Sequence, residues 1–308
     1  MKQSVQKEVD TRLDAMTAGL WLLVALAFVC LFGFMGNTHE PARYGPSIVS
    51  WMINQWEDPG SNSSHGWFIP AVSLYLVWRK RSQLASCAKR TDFRALVVIV
   101  ASLILYWAGY RAQQPRMGIL CLLGLLWSVP WLIWGAHVAR LLFFPVVYLL
   151  FCMPMGFLTP ITFPLRLVSS SVTETLLNGF GIDTVRAGTA IFSAQPDGFR
   201  LDVADACSGL QSIVALTALT AAYAHLAHEG IVKRWLLFLS AFPIAMAGNT
   251  FRVLTIAIVA ETIGLDVAMK VYHDFSGFLV FGAAVILMVA FSAVLNVDWK
   301  ERWARADT

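Results

Sequence analysis

Three side chains in this sequence stand out chemically against apolar surroundings: the thiol of Cys207, the guanidinium of Arg252 and the imidazole of His273. A thiolate is a nucleophile, a neutral imidazole within hydrogen-bond reach takes and returns its proton, and a guanidinium steadies an oxyanion. Arginine stays protonated in proteins, so Arg252 cannot be the base. A fixed cation beside Cys207 lowers the thiol pKa. As a set they read as attack on a peptide bond through a thioacyl intermediate. The stretch Asp202-Val203-Ala204-Asp205-Ala206-Cys207-Ser208-Gly209-Leu210-Gln211-Ser212 ends a polar-interrupted segment and opens an apolar run of helical length. Cys207 is therefore expected at or just before a helix N-terminus, where unpaired backbone N–H groups and the macrodipole favour a thiolate. Ser208 and Asp205 are candidate caps, and Gly209 leaves the thiol approachable.

Each of the three also has an ordinary reading. A cysteine is commonly a small apolar filler. An arginine at a span end is commonly a snorkelling anchor, and a histidine at a span boundary is commonly interfacial. What favours chemistry is that the topology below brings all three to one membrane face. His65 and Arg166 face the same side as candidate site walls with no assigned role, and Asn178 and Asn249 read as helix-end residues. His225 and His228 end an inward-running span and are set aside. No His, Cys and Asp cluster has metal-ligand spacing, so neither a metal nor another cofactor is expected.

The elements that must position these groups are membrane spans. The chain is 57% hydrophobic and only 14% charged, with a mean hydropathy of +0.64. Soluble domains are roughly 45–50% apolar and about 25% charged. Twelve Trp and twenty Phe suit the membrane–water interfaces. The net charge of +4 speaks to topology, since no basic run with interleaved aromatics suggests a nucleic-acid surface. Of five cysteines, Cys30, Cys121 and Cys152 sit in apolar runs and Cys87 in a basic loop, which argues against a disulfide framework.

Apolar runs place spans at residues 17–35, 66–78, 95–110, 117–135, 141–158, 209–227, 235–251 and 276–297. The 66–78 run is short for a hydrocarbon core of about 30 Å and needs snorkelling by Arg79, Lys80 and Arg81 to cross. Residues 48–56 read as an amphipathic helix lying on the membrane. The first span lacks a small-residue cleavage site and reads as retained. Lys and Arg concentrate in residues 79–94, at Arg140, at Lys233 and Arg234, and in the tail, which puts both termini inside. Cys207, Arg252 and His273 then share the outer face. Residues 163–180 predict an interfacial amphipathic helix ended by Gly179 and Gly181. The β-prone runs 184–192 and 199–203, separated by Gln195-Pro196-Asp197-Gly198, predict a small hairpin. The expected fold is an all-α polytopic integral membrane protein of about eight transmembrane helices. A periplasmic-side amphipathic helix and a small β-hairpin lie between the fifth and sixth spans. One membrane domain covers residues 1–308, with cytoplasmic tails at 1–16 and 298–308 and an extracytoplasmic segment, 159–207, leading to Cys207.

Ala206-Cys207-Ser208-Gly209-Leu210-Gln211-Ser212, Gly248-Asn249-Thr250-Phe251-Arg252-Val253 and His273-Asp274-Phe275-Ser276-Gly277 resemble the three signature blocks of exosortases and archaeosortases. Ser64-His65-Gly66-Trp67-Phe68-Ile69-Pro70, leading to Trp78-Arg79-Lys80-Arg81, and Phe163-Pro164-Leu165 are also similar to that family, over about residues 51–291. Arg166 stands where the family pattern would carry glutamine. The resemblance implies a membrane-embedded cysteine protease-transpeptidase of the cell inner membrane. Its substrates would be exported proteins with a C-terminal sorting signal: a motif of the Pro-Glu-Pro kind, a transmembrane helix and a basic tail. By motif position Cys207 matches the nucleophile, Arg252 the conserved arginine and His273 the histidine. Besides the lipid bilayer, any partner in polysaccharide export or product trimming would be a separate chain. Two other classes remain open at this point. One is an acyl- or glycosyltransferase on lipid-linked substrates, which would want acidic groups in outer loops. The other is a transporter or scaffold, which would want charges or broken helices at the midplane.

Overall fold

In lipid the backbone must satisfy its own hydrogen bonds, so apolar runs fold as helices. The computed structural model describes residues 19, 21–88, 90–195, 198–202 and 210–297, and it is 79% helical, which makes the protein all-α with one small sheet. Among the described residues, Pro115–Trp134, Ile231–Thr262 and Gly277–Asn296 are each long and apolar enough to cross a membrane. Trp21–Phe34, Ala95–Arg111, Ala136–Cys152 and Ser212–Ala227 are shorter apolar helices. The chain is a multi-pass membrane protein. It divides into two compact units, Met1–Pro154 and Met155–Thr308.

In the first unit, α1 (Trp21–Phe34) ends in a π-helical stretch, Val29–Phe34. There follow α2 (Ile48–Glu57), α3 (Ile69–Arg79), α4 (Ala95–Arg111), α5 (Pro115–Trp134) and α6 (Ala136–Tyr148). A reciprocal cap between Ser47 and Ser50 starts α2. This helix does not expose its apolar side to lipid as expected. Ile48, Trp51 and Trp56 are buried, the first two in a core with Phe32, Ile119 and Cys121. Close approach explains the change: a Cβ on Gly118 would come within 2.5 Å of Ile48 Cδ1, so α2 settles on the bare backbone of α5. Gly124 serves α4 likewise, since its Cβ would lie 2.2 Å from Ser102 Oγ, a small-residue contact typical of membrane helices. In the loop before α4, the Asp92 carboxylate accepts from Trp131 Nε1 at 2.9 Å and from the Arg94 N–H at 3.1 Å, which holds it below the usual carboxylate range. At about 1.5 Å per residue, the eleven residues of α3 reach only about 16 Å and do not cross alone.

The second unit contains α7 (Thr159–Gly179), β1 (Thr184–Ala187), β2 (Ala190–Ser193), β3 (Arg200–Asp202), α8 (Leu210–Ala227), α9 (Ile231–Thr262) and α10 (His273–Asn296). Where one hairpin was expected, three antiparallel strands form in the order β1-β2-β3. The first β-prone run turns back on itself at Gly188, whose φ of 66° a side chain would resist. Thr184 then pairs with Ser193 and Ile191 with Leu201. The sheet is tied to α7 by the Asn178 side chain, which accepts from the Thr184 N–H at 2.7 Å, and by a Glu174–Arg186 ion pair at 3.2 Å. Its inner face joins Leu177 of α7 and Val253, Ile256, Ala257 and Ala260 of α9 in one core. α9 was expected to end with its span at Phe251. It runs on to Thr262, because this continued apolar face has the sheet to bury against. The lower part of α9 packs with α8 and α10 through Leu216, Ala241, Ala245 and Ala284, then Ala224, Leu237 and Met288.

Leu177 is fully buried where α7, the sheet and α9 meet. Leu177→Ala is expected to destabilise the unit by about 2–5 kcal/mol. Thermal unfolding in detergent would show a lowered midpoint together with faster proteolysis of residues 184–202; an unchanged melt would refute this account of the core.

Candidate functional site

Arg252 lies on a regular face of α9. Ala245, Gly248, Asn249 and Arg252 recur at the 3–4 residue spacing of one helix side, and Gly277, Val280, Phe281 and Ala284 do the same on α10. With Ser212 and Leu216 of α8 they enclose a narrow cleft of about 20 Å³, room for about one water molecule. Of two glycines at the cleft, Gly248 sets its width, since only there would a side chain crowd its neighbour. A Cβ on Gly248 would stand 3.0 Å from Val280 Cγ1, and one on Gly277 would stand 3.6 Å from Arg252 Nη2. The half-buried Arg252 guanidinium therefore rests beside the α10 backbone. The register of α9 is fixed nearby, where Thr250 Oγ1 and Ser169 Oγ of α7 share a 3.0 Å hydrogen bond. Ser169, Ser170 and Thr173 are all buried, and Ser170 and Thr173 each donate a hydroxyl to a backbone carbonyl.

Of the three expected chemical groups, Arg252 is described in full. His273 is the first residue of α10, one turn before Gly277, and its side chain lies outside the described residues. Cys207 also lies outside them; Ser212, five residues on, is the first residue of α8 described with its side chain, and it borders the cleft. The structure thus joins Arg252 to the starts of α8 and α10. Sequence reasoning left out Ser212 and treated Asn249 as a helix end. The missed signal was spacing, since Asn249 stands three residues before Arg252 and so shares its face. Among the described residues no group of three His, Cys, Asp or Glu is placed to hold a metal ion.

The other sequence candidates separate by role. Asn178 is a clamp between α7 and β1, as above. Arg166 is half-buried on α7, and its Nε is shielded with no hydrogen-bond partner among the described residues. His65 occupies a 3-10 turn, Ser64–Trp67, ahead of α3. Neighbouring Gly66 must be bare, because a Cβ there would lie 2.1 Å from Trp56 Nε1. Trp56 in turn donates to the Cys152 carbonyl at 2.8 Å and meets Trp67 edge-on, with ring centroids 5.1 Å apart. Neither ring nitrogen of His65 makes a well-formed hydrogen bond among the described residues. Burial lowers its pKa from the ordinary value, and the nearby Phe151 backbone offsets part of that.

In comparisons with known proteins, residues 56–290, about three quarters of the chain, match the family model described as transmembrane exosortase. The searches of curated proteins and of solved structures gave no match.

The lowered pKa of His65 makes stability depend on pH. Its folded form binds fewer protons than its unfolded form, so its contribution is full above the unfolded value of about 6.5 and shrinks as pH falls below it. The melting midpoint is expected to drop between about pH 8 and pH 5.5, and to drop less in His65→Phe. An identical fall in both proteins would refute the assignment.

Proposed function

This chain belongs to the transmembrane exosortase family, and on that premise we propose that it is a membrane cysteine endopeptidase and transpeptidase acting on the C-terminal sorting signal of exported proteins. It sits in the inner membrane with about eight spans and both termini cytoplasmic, and its site opens on the outer face. The substrate's tail helix packs laterally against the spans and presents its motif, of the Pro-Glu-Pro kind, at that face. The Cys207 thiolate attacks the scissile carbonyl, and the Arg252 guanidinium steadies the resulting oxyanion. As the tetrahedral intermediate collapses, the C–N bond breaks and His273 gives its proton to the leaving amine. An incoming amine or water then attacks the thioester, His273 takes the proton, and Cys207 leaves as the thiolate. No step calls for a metal or a redox partner.

One observation supports this reading above the others. The guanidinium of Arg252 lies at a cleft bordered by Ser212, five residues past Cys207, and by Gly277, four residues past His273. The chain therefore brings the flanks of all three motif blocks to one place, with a cation already there. A transporter reading would want such a charge at the midplane, whereas the span proposed from the sequence, residues 235–251, ends just before Arg252.

The test is a co-expressed reporter ending in motif, helix and basic tail, with its C-terminal mass measured. Wild type is expected to give one defined cut, and the added mass separates transfer from hydrolysis. Cys207→Ala at equal expression should give none, and Arg252→Gln should slow turnover about 100- to 1,000-fold. A cut that persists without Cys207 overturns the mechanism.

A further inference from the structure

In the first unit, the corner where α3 stops, α5 turns into α6 and α4 begins carries a cluster of cations to which the chemistry above gives no role. Backbone and side-chain contacts draw three separate stretches together there. The Lys80 ammonium, just past α3, donates to the Leu141 carbonyl at 3.1 Å, which sets Arg79 and Arg81 beside the turn of α6 that carries Arg140. The loop ahead of α4 lies along the end of α5, with the Asp92 N–H donating to the Leu132 carbonyl at 3.1 Å. Gly135 makes the α5–α6 corner with φ 90°, and a Cβ on it would stand 2.6 Å from the Arg90 carbonyl oxygen. Arg90 and Arg94 are thereby fixed at the same place.

The charge of this corner is one-sided. Asp92 is the only acidic residue of the sequence between Asp58 and Glu174. Its carboxylate is already taken by Trp131 Nε1 and the Arg94 N–H, and it offsets the Arg94 charge in part. Arg79, Arg90, Arg94 and Arg140 are all exposed, and none of them forms an ion pair among the described residues. Topology alone asks only for cations on one side of the membrane, and lysine would serve it as well. It does not ask that loops distant in sequence be pinned to one corner, nor that the exposed cations there be arginines, whose planar fork matches a phosphate.

We propose that this arginine corner is a docking surface for the headgroup phosphate of an anionic phospholipid in the leaflet at that surface. A cluster of basic residues directly at the ends of membrane helices is the setting in which such headgroups are held. Its apolar flank selects a lipid over a soluble anion. Trp78 and Phe93 are 54% and 72% exposed at the same level, where aromatic rings anchor at the headgroups. The Arg81 guanidinium lies 4.1 Å from the centroid of the Trp78 ring, so cation and interfacial aromatic form one surface. Leu74 on α3 and Val97 on α4 are exposed next along their helices, on the side where acyl chains lie. This inference does not depend on the mechanism proposed for Cys207, and the failure of either leaves the other standing.

The full chain in phosphatidylcholine nanodiscs would be titrated with phosphatidylglycerol, and retained lipid counted by native mass spectrometry. Arg90→Gln and Arg140→Gln come from different loops of the corner. Each is expected to weaken phosphatidylglycerol retention about fivefold, and the double variant about 25-fold. Both replace exposed side chains, and the remaining cations still orient the chain. Lys233→Gln, an exposed cation of the second unit, is the control for general surface charge and should leave retention unchanged. A loss with Lys233→Gln as large as with Arg90→Gln would mean attraction by surface charge alone and overturns the site. Displacement of the lipid by excess inorganic phosphate would make the occupant a soluble anion and overturns the lipid assignment. Equal retention by wild type and every variant overturns the proposal outright.

Discussion

The length of α9 is the constraint on which the second unit depends. Thirty-two residues give about 48 Å of helix, with Pro243 inside it, and a hydrocarbon core is about 30 Å. One continuous helix must therefore satisfy two solvents. Below Arg252 it is flanked by α8 and α10 through Ala241, Ala245 and Ala284, small residues that allow close backbone approach where no hydrophobic force acts between helices. Beyond Arg252, Val253, Ile256, Ala257 and Ala260 are covered by the sheet and Leu177. The three-stranded sheet exists because that upper stretch needs an apolar partner. Arg252 falls where the packing of α9 on α8 and α10 gives way to packing on the sheet.

The site proposed for Cys207, Arg252 and His273 would need its helices held still, since misplacement by about 1 Å is costly to catalysis. The polar seam on α7 contributes here. Ser169 meets Thr250 two residues before Arg252, so the axial position of α9 is set against a helix that is itself clamped to the sheet by Asn178 and Glu174. The guanidinium lies beside Gly277, and Gly248 brings α10 close enough for one narrow cleft to form.

How much of this was legible in the sequence depended on which signal each part emits. Apolar runs announced the long helices, and Gly179 and Gly181 announced the end of α7, because lipid and φ freedom act on local sequence. The last third of α9 was missed because Arg252 looked like a full stop. Yet Val253, Leu254, Ile256, Ala257 and Ala260 repeat with helical spacing and showed that the helix continues. The burial of α2 was also hidden, since it depends on the bare backbone of Gly118 far along the chain. At the site, the block containing Arg252 was legible by residue type. The contributions of Ser212 and Asn249 were not, because only the packing of three helices brings them to one cleft. His228 was dismissed for its position at a span end, and nothing local predicts its bond to Ser292, sixty-four residues away.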